Sequence, residues 1–340
     1  MSIDAARLRE ALTETAAGHG PGLVGLVTEH GEPAFEGAVG VTDLAARRPP
    51  TADDRFRIGS ITKTYVSALL VQLLRDGAFA RTDTVERWLP GLVPGGDRLT
   101  VDLLLRMRSG LPDYAWPLLG DPPDLGRLTR YFRPEELVEV ALAQPDRNPP
   151  GESFRYCNTD YVLLGLIVEE ATGIRVDALL HERVLAPLGL HDTTFPIAQQ
   201  RMHGPHARGY ERMAADAPYR PIPAISPSES WTAGGMTATP RDLGRFFDAL
   251  LDGRVVDPAD LETMTARTEP LAEGIWRGFG LVRYERPDGT VAFGHHGGVP
   301  GYTTLALRST AGRTVVLAQN GIDLHDALSS DNPFVDAALA

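Results

Sequence analysis

Apolar residues recur along this chain with two periods, and the two periods occupy different regions. In MSIDAARLREALTETAAGHG, residues Ile3, Leu8 and Leu12 fall on or near one face of an amphipathic helix. GLVGLVTEHGEPAFEGAVGVTD reads as two strands joined at His30-Gly31-Glu32-Pro33, a hairpin signal. In ITKTYVSALLVQLLRDG, residues Val66, Leu69, Leu70 and Leu73 recur at helical spacing, and Asp76-Gly77 stops the pattern. From about Asp83 to Gly189 the signals are mostly helical, broken by Pro/Gly-rich loops. TVDLLLRMRSG is a short helix ended by Gly110, and RPEELVEVALAQ carries Pro134 near its first turn. TDYVLLGLIVEEATG is opened by Asn158 or Thr159 and closed by Gly173. In TPRDLGRFFDALLDG, Thr239 with Asp242 fits a capping box and Pro240 fits the first helical position. From about Gly278 the signals turn to strands. GFGLVRYER, TVAFGHH, YTTLALRS and AGRTVVLAQN predict an antiparallel meander whose first turn is Pro287-Asp288-Gly289.

Strands at both ends with helices between them predict an α/β (α+β) fold. An antiparallel sheet built from N- and C-terminal strands is flanked by helices and carries a mostly helical insertion. The expected division is a sheet domain from 1–80 and 225–340 and a helical domain from 81–224. Interleaved domains leave a cleft, a favoured place for a site.

Composition narrows the function. The 340 residues are 43% hydrophobic and 23% charged, ordinary for a globular protein with a sizeable core. A net charge of -12 argues against nucleic acid and anionic membrane surfaces as partners. The single cysteine, Cys157, allows no internal disulfide. The N-terminal segment shows no basic region followed by an apolar one, and no apolar run is long enough to span a bilayer. The expected location is the cytoplasm, or the exterior for a chain whose leader has been removed.

One residue stands out by count. Lys63 is the only lysine; every other cation among the 33 Lys+Arg is arginine. GC-rich codon usage accounts for the arginines and leaves the exception to be explained. Ser60 lies three residues earlier at the start of the helix, so the two side chains share a face. The helix start favours negative charge developing on a serine oxygen. A lysine ammonium can be made to give up its proton by burial or a neighbouring cation, whereas arginine does not give one up. A base at this position explains the exception; otherwise Ser-x-x-Lys is a short pattern that many helices carry by chance.

Two further constellations could join Ser60 and Lys63. In FRYCNTD, Tyr156 and Asn158 sit two apart before a helix and would face one side of an extended segment. The phenol could shuttle a proton and the amide orient a carbonyl; otherwise Asn158 caps the helix and Tyr156 packs. In FGHHGGVPGY, residues His295, His296, Gly297 and Gly298 end a predicted strand, where small residues let a substrate backbone approach and a strand edge could bind a peptide. A His-His pair can equally be partly buried. His203 and His206 lack a third ligand at zinc spacing, so no metal site is expected.

Ser-x-x-Lys, Tyr-x-Asn and His-x-Gly, in this order and with these separations, resemble the serine penicillin-recognising enzymes. These comprise class C β-lactamases, D-alanyl-D-alanine carboxypeptidases and their esterase relatives. The resemblance runs from about Gly22 to Asn320 and includes FRIGSITKTYVSALLVQLLRDG, SGLPDY, YCNTDYVLLG, WTAGGMTATPRDLGRFF and GHHGGVPGY. Among members the chain looks most similar to the actinobacterial D-alanyl-D-alanine carboxypeptidases. The resemblance implies a β-lactamase/transpeptidase-like fold, Ser60 as nucleophile, Lys63 as its base and Tyr156 as the proton carrier to the leaving group. It implies that Asn158 holds the substrate amide and Lys63, that His295 opens the third motif, and that the N–H groups of Ser60 and Gly298 form the oxyanion hole. Trp231 is expected to line the pocket. No metal or organic cofactor is implied.

The pattern departs from the family in the third motif. His296 stands where a small hydroxyl residue is usual, and Gly298 where the carboxypeptidases carry another hydroxyl. Those hydroxyls help hold a substrate carboxylate, so this lock looks altered; Arg283 is a candidate to compensate. Cys157 replaces the usual serine and reads as a buried small hydrophobe. The expected activity is acyl transfer from a peptide or ester, with D-amino-acid-containing peptides foremost, in the manner of a D-alanyl-D-alanine carboxypeptidase. Alternatives are a peptide cyclase or thioesterase acting on nonribosomal peptidyl thioesters and meeting a carrier protein, an esterase or β-lactamase, and a non-turnover binder of β-lactams or peptides.

Overall fold

The structure, a computed structural model, describes residues 3–17, 20–145, 148–212, 217–322 and 332–340. Helix α1 (Ala5–Ala16) is capped by the Asp4 carboxylate, which accepts from the backbone N–H of Ala6 and Arg7. Strands β1 (Gly22–Glu29) and β2 (Glu32–Gly40) follow. His30 and Gly31 join them with φ of 52° and 84°, the left-handed pair that a tight hairpin requires. Helix α2 (Thr62–Arg75) follows the turn that carries Ser60, α3 (Asn158–Thr172) belongs to the helical segment, and α4 (Pro240–Leu251) returns the chain to the sheet. Thr239 caps α4 by accepting from the Asp242 N–H, but the expected capping box is half made. The Asp242 carboxylate instead accepts from Asp192 N and Thr193 Oγ1.

The remaining strands are β3 (Glu269–Ala272), β4 (Ile275–Arg277), β5 (Val282–Glu285), β6 (Val291–Val299), β7 (Tyr302–Ser309) and β8 (Arg313–Gln319), and α5 (Pro333–Leu339) ends the chain. They form one eight-stranded sheet in the order β2-β1-β8-β7-β6-β5-β4-β3. Every pairing is antiparallel. Val27 sits opposite Val315 and Leu26 opposite Val316, so the N-terminal hairpin is sewn directly to the C-terminal meander. The sheet expected from both termini is observed. It begins earlier than expected, because β3 and β4 precede Gly278.

Both faces of the sheet are covered, which explains why β8 is buried almost throughout. On one face Leu23, Val27, Leu305, Leu307, Val315 and Leu317 pack against Leu8 and Leu12 of α1 and Phe334 and Val335 of α5. On the other, Val24, Leu26, Ala306, Val316 and Ala318 join the core that contains α2, α3 and α4. Helix α2 is buried from Thr62 through Leu73. Each of Val66, Leu69, Leu70 and Leu73 then contributes roughly 1.5–3 kcal/mol by leaving water, which anchors the turn carrying Ser60. Among the described residues no helix is long and apolar enough to cross a membrane.

Candidate active site

The site forms where three segments meet. A 3-10 turn, Gly59–Ile61, leads into α2 and places Ser60 half-buried at its start. One turn on, Lys63 is fully buried. Its Nζ lies 3.1 Å from Ser60 Oγ, 2.7 Å from Asn158 Oδ1 and 2.6 Å from the Ala233 carbonyl oxygen. Of these three, Asn158 Oδ1 and the Ala233 carbonyl can only accept, whereas the Ser60 hydroxyl can also donate. From the α3 side, Tyr156 donates its hydroxyl to Ser60 Oγ at 2.7 Å. The serine oxygen is thus within proton-transfer reach of both a lysine and a phenol.

Asn158 is the first residue of α3 and acts through its side chain. Its orientation is set by Asp113 in the SGLPDY loop. Asp113 Oδ2 accepts from the Asn158 backbone N at 2.6 Å and from Nδ2 at 3.0 Å. With the amide N–H committed to a carboxylate, Oδ1 is left to face Lys63. Asp113 is a residue the sequence reading did not assign. Its role joins positions 45 apart in sequence, which local spacing does not reveal.

The third segment is the end of β6. A Cβ on Gly297 would lie 1.9 Å from the Ile58 carbonyl oxygen, and one on Gly59 would lie 2.8 Å from Gly298 N. Gly59 also has φ of 50°. Glycines on both sides therefore let the strand end press against the nucleophile's turn, bringing the Gly298 backbone beside Ser60. Thr304, opposite Gly297 on β7, holds the same contact by donating to the Ile58 carbonyl at 3.1 Å.

His295 is fully buried, and its ring is kept neutral. Burial pushes its pKa well below the usual imidazole value, helped by the charge of Arg277 and by His296 and Lys63. Arg277 NH1 lies 3.3 Å from His295 Nε2. A guanidinium only donates, so Nε2 accepts and the proton sits on Nδ1, which donates to the His296 carbonyl. His296 itself is exposed at the mouth, and its ring stacks 5.4 Å from that of His295. The positive charge at this end of the cleft is carried by Arg277, whose guanidinium stands 5.0 Å from the Tyr156 ring. Arg277 is 4% exposed, makes no ion pair among the described residues, and leaves Nε without a hydrogen-bond partner there.

Two expectations change. Arg283 does not face the cleft; its Nε donates to Glu285 at 2.6 Å and its guanidinium lies over Phe293. The arginine at the site is Arg277, on the neighbouring strand. Trp231 is buried and does not line the pocket. Its indole fills the space beside Gly165 of α3, where a Cβ would come within 2.8 Å of the ring. Its backbone, at φ of 36°, starts the turn Trp231–Gly234 that aims the Ala233 carbonyl at Lys63. Cys157 is buried as read, with Sγ toward the carbonyls of Leu111 and Pro112 and burial pushing the thiol pKa up.

Similar proteins share this arrangement's fold. The beta-lactamase family model matches residues 8–340. A D-stereospecific amidohydrolase from Streptomyces superposes with a TM-score of 0.87 at 32% identity, covering 98% of each chain. The D-aminopeptidase of Brucella anthropi is 28% identical over 305 residues, 83% of this chain and 52% of that one. Penicillin-binding protein 4* of Bacillus subtilis is 25% identical over 297 residues, 83% of this chain and 64% of that one. The chain thus spans between about half and two thirds of the length of these two curated relatives.

Proposed function

The chain belongs to the beta-lactamase family, and from that premise we propose that it is a serine hydrolase that cleaves amides of D-amino acids through an acyl-enzyme on Ser60. The observation that carries the chemistry is the placement of Ser60 Oγ between Lys63 Nζ and Tyr156 Oη. The similarity to a D-stereospecific amidohydrolase over 98% of both chains supports the D-amide substrate.

The steps follow from the distances. Lys63 in its amine form takes the Ser60 proton as Oγ bonds to the substrate carbonyl carbon. The oxyanion of the tetrahedral intermediate faces the N–H groups of Ser60 and Gly298. The C–N bond breaks as Tyr156 gives its hydroxyl proton to the leaving nitrogen, and the proton held by Lys63 restores the phenol. Water then enters by the same route in reverse and releases the D-amino acid, leaving Ser60 and Lys63 as they began.

A second reading rests on Arg277. A buried cation with no carboxylate partner among the described residues is costly unless an anion joins it. A leaving group that ends in a carboxylate would supply one, as in the D-alanyl-D-alanine carboxypeptidase activity expected from the sequence.

Product analysis with D-alaninamide, L-alaninamide, D-alanyl-D-alanine, a short-chain ester and a peptidyl thioester separates these readings. The expected result is release of D-alanine from D-alaninamide and none from its L-isomer, with Ser60→Ala inactive and free of covalent adduct. Equal turnover of both isomers, or retained turnover in Ser60→Ala, rejects the proposal.

A further inference from the structure

We propose that Arg108 and Glu269 are positioning residues: their ion pair latches the segment carrying Tyr156 to the edge of the sheet that carries Arg277, and so sets where the Tyr156 hydroxyl stands. This rests on the acyl-transfer reading above and deepens it by naming what aligns the proton donor.

One guanidinium joins three segments. Arg108 lies just before the SGLPDY loop. Its Nη1 reaches both carboxylate oxygens of Glu269 at 2.8 Å, across 161 positions of sequence. Its Nη2 donates to the Gly151 carbonyl at 2.8 Å and to the Glu152 carbonyl at 3.1 Å, and Nε donates to the same Gly151 carbonyl at 3.2 Å. Each guanidinium nitrogen thus holds a group on another segment, a planar fork that lysine cannot reproduce. The backbone repeats the tie. Gly151 N–H donates to the Arg108 carbonyl at 2.8 Å, and Arg155 N–H to the Met107 carbonyl at 3.0 Å. Arg155 precedes Tyr156, so the stretch around Arg108 fixes the chain on which the phenol rides.

Glu269 supplies the sheet side. It opens β3, the edge strand whose one neighbour is β4, and it sits directly opposite Arg277. Residues opposite each other in an antiparallel pair share a face, and there Glu269 is committed to Arg108, with Arg106 Nη2 further off at 3.6 Å. Thr268 N–H donates to the Arg277 carbonyl at 2.9 Å, which fixes β3 to β4 at this point. The two tied parts meet at the phenol. The Arg277 guanidinium stands 5.0 Å from the Tyr156 ring and 6.0 Å from that of Phe154. Glu269 is 5% exposed, so taking away its partner strands a buried charge and lets the edge strand and the Tyr156 segment part.

The test uses substrates with one acyl group and different leaving groups: D-alaninamide, D-alanine methyl ester and D-alanine 4-nitrophenyl ester. In the mechanism above ammonia and methanol leave with a proton from Tyr156, whereas 4-nitrophenolate leaves without one. Glu269→Gln and Arg108→Lys should lower kcat/KM for the amide and the methyl ester about 10- to 100-fold, the cost of a misplacement near 1 Å. The nitrophenyl ester should change less than about threefold, which also reports a folded site. In a Tyr156→Phe background the same substitutions should change the methyl ester less than about twofold, because the group they position is gone. An undiminished effect in that background, or an equal loss on both esters, overturns the latch. No turnover of D-alaninamide by wild type, with the methyl ester still showing the coupling, overturns the amidase reading and leaves the latch standing.

Discussion

At Lys63, Asn158 Oδ1 and the Ala233 carbonyl can only accept, so an amine that gives each of them an N–H keeps its lone pair for the Ser60 hydroxyl. Arginine in this place would keep the charge, overfill a fully buried site and be unable to accept the Ser60 proton. Lys63→Arg should lower kcat/KM about 10²- to 10⁴-fold, the usual worth of a general base; activity near that of wild type would refute the assignment. Two other residues make the site's stability depend on pH, with opposite signs. His295 has its folded pKa below the unfolded 6.5, so its contribution is present above pH 6.5 and lost as pH falls. The loss is roughly 1.4 kcal/mol per pH unit until the folded pKa is reached. In denaturant titrations His295→Gln should be less acid-sensitive than wild type between pH 6.5 and 5. Glu229, raised from 4.5 to about 7, contributes stability that is present below pH 4.5 and lost as pH rises to about 7. Glu229→Gln should therefore gain on wild type across that window, by about 3 kcal/mol at its upper end. Parallel curves for variant and wild type would remove either residue from this account.

Among elements, the contact between β6 and the turn carrying Ser60 leaves no room for a side chain. Gly297→Ala would place Cβ 1.9 Å from a backbone oxygen, which no side-chain rotation relieves. Moving the strand back separates Gly298 from Ser60, so kcat should fall about 10²-fold or more, as for loss of an oxyanion donor. The overpacking itself should cost about 1–3 kcal/mol in an unfolding experiment. A variant equally destabilised but fully active would show that the strand end takes no part in catalysis. Elements with a clear period and a clear stop were legible in the sequence: α2 with Asp76-Gly77, α3 with Gly173, and the meander from β5 to β8. β3 and β4 were not, because four and three residues carry too little alternation and Pro270 argues against a strand. The helix read as ending at Gly110 stops at Leu105, since Met107 turns to φ of 51° first. The site divides the same way. Ser60 with Lys63 and Tyr156 with Asn158 are local pairs that spacing exposes. Asp113 and Arg277 gain their places only through the fold, and strand register, which the sequence leaves open, decides where Arg283 points.

Across the whole molecule, strands from both termini and helices from the middle converge on one serine. This convergence brings a guanidinium beside Tyr156. Glu229 comes from the turn before α4 and Arg277 from β4, and neither meets a counter-ion among the described residues. Arg277 lies against Tyr156, the proposed proton donor to the leaving nitrogen, so in that mechanism its anion belongs on the leaving-group side. Glu229 accepts from Ser230 Oγ at 2.8 Å in the turn that leads to Ala233. A substrate whose leaving group ends in a carboxylate would satisfy the guanidinium. A D,D-dipeptide with a free C-terminus should then be cleaved with higher kcat/KM than the same peptide ending in an amide. Arg277→Gln should raise KM for D-alanyl-D-alanine about 10-fold or more and leave that for D-alaninamide within twofold, because only the dipeptide brings a carboxylate. If Arg277→Gln slows both substrates equally, the guanidinium serves to hold His295 and Tyr156 in place.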